Sequence, residues 1–215
     1  MIRITGGDAR GAALRVYSGG QVRPTSDKVR QALFNILTHR FHADFQGARV
    51  LDLFAGAGGL GCEALSHGAR EVVFVEADPK AARVITQNLA TLAPRVKGVG
   101  RVVTQRVEVF LSRPPEAPFD VVFMDPPYAD GVEAATLRAL GAGEGAAGAG
   151  WLAAAGYVMI EHSKRQLFEP PEGWRVALRR VYGDTAVSVC ERGSPHALAD
   201  DALADDPRPL GEPPQ

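Results

Sequence analysis

Apolar residues recur along the chain with two different rhythms. In residues 2–16 they alternate, Ile2 and Ile4 and then Leu14 and Val16, around Gly6, Gly7 and Gly11. That pattern predicts a short hairpin with arginines at its turn. Thr25 and Ser26 can cap a following helix, whose apolar face is Val29, Leu33, Ile36, Leu37 and Phe41 at spacings of three to four residues. After Gly47 the rhythm changes to short apolar runs at 50–54, 72–76, 101–105, 121–124 and 157–161, separated by helical patterns at 60–67, 79–92, 107–111 and 132–140. Such alternation predicts βαβ units and a mostly parallel sheet covered on both faces. The Gly/Ala-rich stretch 141–150 reads as a connection, and residues 174–182 and 185–191 around Gly183-Asp184 predict an antiparallel hairpin that closes the sheet edge.

Composition bounds this picture. The 215 residues are 46% hydrophobic and 23% charged, which suits one ordinary α/β domain with small appendages and excludes wholesale disorder. Cys62 and Cys190 stand far apart in no CxxC or Cys/His cluster, so neither a zinc module nor a secreted disulfide framework is expected. No apolar run approaches the roughly 20 residues of a membrane span, and the N-terminus lacks the apolar core of a signal peptide. The expectation is a soluble cytoplasmic protein without a membrane partner.

The net charge of −1 hides an asymmetry. Residues 1–40 carry seven basic side chains (Arg3, Arg10, Arg15, Arg23, Lys28, Arg30 and Arg40) against Asp8 and Asp27. From Ser194 onward five acids face one arginine among many Ala and Pro, the composition of a solvated tail. Three segments follow: a basic appendage over 1–46, the α/β domain over 47–192, and a disordered acidic, Pro-rich tail over 193–215. A basic head points to a polyanionic partner, because clustered Lys/Arg neutralise phosphates and release counterions. On charge alone a solvated face is the favoured reading.

The first apolar run of the domain leads from Val50 through Asp52 and Phe54 into Ala55-Gly56-Ala57-Gly58-Gly59-Leu60-Gly61, which contains GxGxxG. Glycines there let backbone approach a ligand and aim the next helix N-terminus at it. Glu76 ends the second run twenty residues after Gly56, where a carboxylate can accept ribose hydroxyls. This arrangement fits NAD or S-adenosylmethionine. Asp52 favours the latter: a carboxylate just before the loop repels a pyrophosphate but attracts an ammonium and a sulfonium. Its structural alternative is an acid that caps the loop.

The fourth run ends in Asp125-Pro126-Pro127-Tyr128. Ligands of open α/β sheets sit at the carboxyl ends of the strands, so this tetrapeptide should share a crevice with the glycine loop. Two prolines fix a rigid turn on which Asp125 and the Pro126 carbonyl present acceptors and Tyr128 a planar face. That set suits a planar ring bearing an NH2 group, both N–H bonds being directed to acceptors so that the nitrogen lone pair faces an electrophile. The alternative is a strand that merely ends in Pro-Pro.

LDLFAGAGGLG, VEADPKA and DPPY, in this order, resemble a class I S-adenosylmethionine methyltransferase acting on an exocyclic amine. The head motifs RITGGDARG and RPTSDKVRQALFNIL, with the late YGDT at 182–185, resemble the RsmD family of bacterial 16S rRNA guanine-N2 methyltransferases, over about residues 2–192. The resemblance implies a Rossmann-like α/β fold, S-adenosyl-L-methionine as cofactor, 16S rRNA or an assembling small subunit as partner, and a monomer. It assigns Asp52, Phe54, Ala55, Gly56 and Gly58 to the cofactor loop, Glu76 to the ribose with Ala77 and Asp78 beside it, and Asp125, Pro126, Pro127 and Tyr128 to the base. Arg106 stands where an acidic or amide residue often meets the adenine, which leaves backbone near Val107 for that contact. Gln31 replaces a usual Glu. Arg3, Arg10, Arg23, Thr25, Lys28 and Arg30 are the expected RNA contacts.

Alternatives remain open at this point. An adenine-N6 methyltransferase shares DPPY but usually inserts a recognition domain for which this chain has no spare segment, and an NAD-dependent oxidoreductase leaves Asp52 and DPPY unexplained. A non-catalytic RNA-binding assembly factor would keep the head without turnover. The histidines at 39, 42, 67, 162 and 196 show no metal spacing, no metal is expected, and Glu161-His162 reads as a satisfied polar pair at a strand end. Phe34, Phe41, Phe45 and Trp151 are expected in the core.

Overall fold

The computed structural model describes residues 2–17, 27–40, 45–126, 131–142, 150–165 and 168–193, the side chains of Lys28 and Arg40 excepted. Two short strands, β1 (Ile2–Arg3) and β2 (Ala13–Leu14), pair antiparallel as the N-terminal hairpin, and α1 (Asp27–Arg40) follows. Then come β3 (Arg49–Leu53), α2 (Gly59–Ser66), β4 (Glu71–Glu76), α3 (Pro79–Leu92), β5 (Val99–Thr104), α4 (Val107–Leu111), β6 (Phe119–Met124), α5 (Val132–Gly141), β7 (Leu152–Ser163), β8 (Trp174–Tyr182) and β9 (Thr185–Arg192). The hairpin, the alternation of strands and helices, and the closing antiparallel pair all follow the sequence pattern.

Seven strands form one sheet in the order β5-β4-β3-β6-β7-β9-β8. The first five are mutually parallel, and β9 and β8 run antiparallel at one edge. Because side chains alternate across a pleat, each central strand feeds two cores. Val50, Val72, Phe74, Val121 and Phe123 pack on one face against α1, α2 and α3 through Leu33, Leu37, Leu65 and Ile85. Leu51, Leu53, Val73, Val75, Val122 and Met124 pack on the other against α4 and α5 through Val107, Leu111, Leu137 and Leu140. Phe34 and Phe45 lie in the first core and Trp151 in the second, while Phe41 falls outside the described residues.

The N-terminal segment is part of this packing. Ile4, Leu14, Phe34 and Leu37 belong to the same apolar cluster as the sheet. The hairpin turn also presses on the end of α2, where Asp8 N–H donates to Ser66 O at 2.7 Å. At Gly7, with φ of 69°, a Cβ would stand 1.9 Å from that same carbonyl oxygen, so only glycine fits. After β5 the chain crosses from one side of β3 to the other to enter β6, and this reversal opens a crevice beyond the carboxyl ends of β3 and β6.

Candidate active site

The register Leu53↔Met124 brings the ends of β3 and β6 level, so the glycine loop and Asp125 leave the sheet side by side. The backbone bends at once after β3. Phe54 takes φ of 57°, the one non-glycine residue with positive φ among the described residues, and strain of this kind persists where surrounding structure fixes it. Gly58, at φ of 79°, precedes the first turn of α2. Asp52 is buried and accepts the Gly61 N–H at 2.9 Å, which ties the strand end to that turn. The capping alternative for Asp52 is therefore present in the structure, alongside its place on the cavity wall.

Glu76 ends β4 next to this loop. Its two carboxylate oxygens accept the Gly56 N–H at 2.7 Å and the Asp78 N–H at 2.8 Å. A carboxylate offers about four acceptor positions, so room remains for hydroxyl donors. Asp78 caps α3 by accepting the Lys80 N–H at 2.8 Å, and Pro79 opens that helix where a missing N–H costs nothing. Across the cavity, Val107 is buried at the start of α4. The Arg106 guanidinium turns to Glu108 at 3.3 Å and is largely exposed.

A cavity of about 410 Å³ joins these elements, walled by Asp52, Phe54, Ala55, Gly56, Glu76, Ala77, Asp78, Arg106, Val107 and Asp125 among others. The sequence-predicted cofactor residues thus share one cavity with the first residue of DPPY, save Gly58, which lies buried behind it in the loop. The lining carries five carboxylates, Asp52, Glu76, Asp78, Glu108 and Asp125, against two guanidinium groups. Both of the latter are engaged, Arg106 by Glu108 and Arg30 by Glu63 and Asp27. Burial, reinforced by Glu76, pushes the Asp52 carboxyl up to about 8 even though the Gly61 N–H pulls the other way. Burial likewise raises Asp125 well above the usual carboxylate range, with Glu161 and Asp52 adding to it.

Glu161 is buried on β7, one place beyond the Met124↔Ile160 pair and so beside Asp125. Next to it His162 faces Ser188 Oγ at 2.9 Å and the Ser163 carbonyl at 3.1 Å, a satisfied polar residue that burial holds below the ordinary imidazole range. Among the described residues no group of three His, Cys, Asp or Glu is placed to hold a metal ion, and the Cys62 and Cys190 thiols are free and buried. No described helix is long and apolar enough to cross a membrane.

The basic head resolves into different roles. Arg3 and Arg10 are exposed on the hairpin. Arg30 is not: it is 1% exposed, donates to Glu63 at 2.9 Å and to Asp27 at 2.8 Å, and reaches the Arg3 carbonyl as well. The expectation that Arg30 holds an RNA phosphate is corrected, because a buried, doubly neutralised guanidinium has no charge to spare. Arg23, Thr25, Pro127 and Tyr128 lie outside the described residues, as does the Lys28 side chain.

Two partners of the site went unread in the sequence. Tyr17 lines the cavity and donates to Asp78 at 2.5 Å. Glu63, fully buried on α2, collects Arg30 together with the Thr5 and Gly6 backbone. A glutamate on the buried face of an apolar helix was the available signal for the second. Tyr17 gave none, because its partner is 61 residues away.

Comparison with known proteins agrees with the geometry. The family model described as Conserved hypothetical protein 95 matches residues 2–191. The Escherichia coli (strain K12) protein named Ribosomal RNA small subunit methyltransferase D is 35% identical over 192 residues, covering 89% of this chain and 90% of that one. Its Haemophilus influenzae namesake is 34% identical over 183 residues, 85% of this chain and 89% of the other. Among solved structures, a hypothetical protein of Thermus thermophilus superposes with a TM-score of 0.69 at 38% identity, covering 88% of this chain and 98% of its own. With the family model spanning nearly the whole described chain and these relatives matched over most of their length, the chain belongs to the RsmD family of rRNA methyltransferases.

Proposed function

We propose that this protein transfers a methyl group from S-adenosyl-L-methionine to the exocyclic N2 of a guanine in 16S rRNA, acting as a monomer in the cytoplasm. The observation that carries the reading is the sign of the cavity. Carboxylates from the ends of β3, β4 and β6 face it, and both lining arginines are already paired. Asp52 is held largely protonated at neutral pH, but Glu76 and Asp78 still meet a pyrophosphate with like charge, whereas a ligand bearing an ammonium and a sulfonium draws Asp52 into its carboxylate form and supplies the counter-charge. The donor set therefore fits S-adenosylmethionine and does not fit NAD.

Bound in this cavity, the cofactor supplies a methyl group on a sulfonium, an electrophile that needs positioning rather than activation. Asp52 would hold its cationic amino acid end, Glu76 the ribose hydroxyls, and Val107 the apolar side of the adenine. Asp125 would accept an N–H bond of the target amine and so orient its nitrogen lone pair for transfer. Asp125, in its ionised form, would take the proton that the nitrogen sheds on methylation. Its raised proton affinity, produced by burial and by Glu161, suits it to that task. Pro126, and Pro127 and Tyr128 outside the described residues, keep in this proposal the base-holding role that the family resemblance implies.

Thermal shift tests the cofactor. S-adenosylhomocysteine should raise the melting point, by linkage to binding, and NADH should not. A shift with NADH alone would overturn the assignment.

A further inference from the structure

The cofactor cavity is not built by the sheet domain alone. Ile2, Val16 and Tyr17, which precede α1, form part of its wall. Tyr17 is the polar one of the three, and its hydroxyl donates to one Asp78 oxygen at 2.5 Å while the other oxygen takes the Lys80 N–H. The hydrogen bonds continue inward. The Asp78 N–H donates to Glu76 at 2.8 Å, and the second Glu76 oxygen accepts the Gly56 N–H at 2.7 Å. One connected series thus runs from an N-terminal side chain through both acidic residues to the glycine loop.

The segment that carries Tyr17 is anchored on the same loop. Two residues upstream, Arg15 gives its N–H to Asn88 Oδ1 at 2.8 Å and receives Asn88 Nδ2 on its carbonyl at 3.1 Å. That amide nitrogen also donates to the Ala57 carbonyl at 2.9 Å, and Asn88 is fully buried on α3. A buried amide with its donors and acceptor used in this way fixes the register of the chain entering Tyr17. Tyr17 is therefore held against Asp78 by its own bond and by the backbone behind it.

We propose that Tyr17 is a positioning residue for the cofactor: its hydroxyl sets the Asp78 carboxylate, through it the Glu76 carboxyl, and its ring closes that side of the cavity. This rests on the S-adenosylmethionine reading above and adds the N-terminal segment to the cofactor site. The bond also has the expected electrostatic consequence, since it lowers the Asp78 carboxyl and raises the Tyr17 phenol.

The test is calorimetry of S-adenosylhomocysteine on the full chain as wild type, Tyr17→Phe, Tyr17→Ala, Asp78→Asn and the Tyr17→Phe/Asp78→Asn double variant, with ligand-free melting points alongside. Asn caps a helix about as well as Asp, so the α3 N-terminus is preserved. Tyr17→Phe should weaken binding by about threefold to tenfold, the worth of one hydrogen bond, with its melting point unchanged. Tyr17→Ala should lose more. The double variant should be no weaker than the poorer single variant, because both act on one bond. In turnover the loss should fall on KM for the cofactor more than on kcat. Wild-type affinity in Tyr17→Phe and Tyr17→Ala, or strictly additive effects of Tyr17→Phe and Asp78→Asn, would overturn the proposal. Failure of the wild type to bind S-adenosylhomocysteine would instead overturn the cofactor reading, and this inference with it.

Discussion

In the proposed function Asp52 serves fold and chemistry together. Its bond to the Gly61 N–H fixes the loop, while burial, with Glu76 adding to it, pushes its carboxyl up to about 8. Below that value the group is largely protonated, and a cationic ligand requires the carboxylate. Binding must then release a proton, so cofactor affinity should rise with pH by up to about tenfold per unit between pH 6 and 8 and level off above. The ligand-free protein should show the opposite trend: a carboxyl raised above its unfolded value stabilises the fold at low pH and progressively loses that contribution as pH climbs from about 4 to 8. Calorimetry and melting curves across this range check both signs, and a flat affinity would contradict the assignment. For the target amine, Asp125→Ala should abolish methyl transfer while cofactor affinity stays within a few-fold. Turnover at the wild-type rate would exclude Asp125 from the reaction.

At the scale of elements, most of the sheet was legible because buried parallel strands are continuous apolar runs and their ends are marked by Gly, Asp and Pro. β7 is the instructive exception. It begins at Leu152, five residues before its apolar run, because Ala153, Ala154, Ala155 and Gly156 carry no strand signature. Pairing of Leu152 with Phe119 across a register shift extends it. That the glycine loop, Glu76 and Asp125 line one cavity was likewise legible, since each is a local pattern at a strand end. What stayed hidden depends on distance: Arg30 meets Glu63 33 residues along, and in sequence it is one more cation of a basic head. Inside, burial alone would raise Glu63, but bonds from His67, Thr5 and Arg30 prevail and hold it below the usual range. Both side chains are fully enclosed, so Arg30→Ala should cost about 3–5 kcal/mol of stability in chemical denaturation, the penalty of an orphaned buried charge. A loss under about 1 kcal/mol would show that α1 is not clamped to α2 through this pair.

Across the whole molecule, the hairpin and α1 share a core with the sheet, so the parts proposed to meet RNA and the parts proposed to bind cofactor are one packed body. Arg3, Arg10 and Arg15 are the exposed cations of the hairpin segment, the first two being the expected RNA contacts, and phosphate contacts of this kind position a substrate rather than select it. The Arg3→Ala/Arg10→Ala variant should bind RNA more weakly and reduce the salt dependence of binding by roughly 0.7–0.9 in slope per lost contact. Cofactor affinity should hold. An unchanged slope would place the RNA on another surface. The central claim, methylation of a guanine N2 in small-subunit rRNA, is tested most directly by incubating the protein and labelled S-adenosylmethionine with ribosomal RNA or small subunits from cells lacking this enzyme, then mapping the labelled base. The account predicts label on one guanine of the 16S rRNA, at N2, and none with Asp125→Ala. Label on adenine, label confined to protein, or no label on any ribosomal substrate would contradict it.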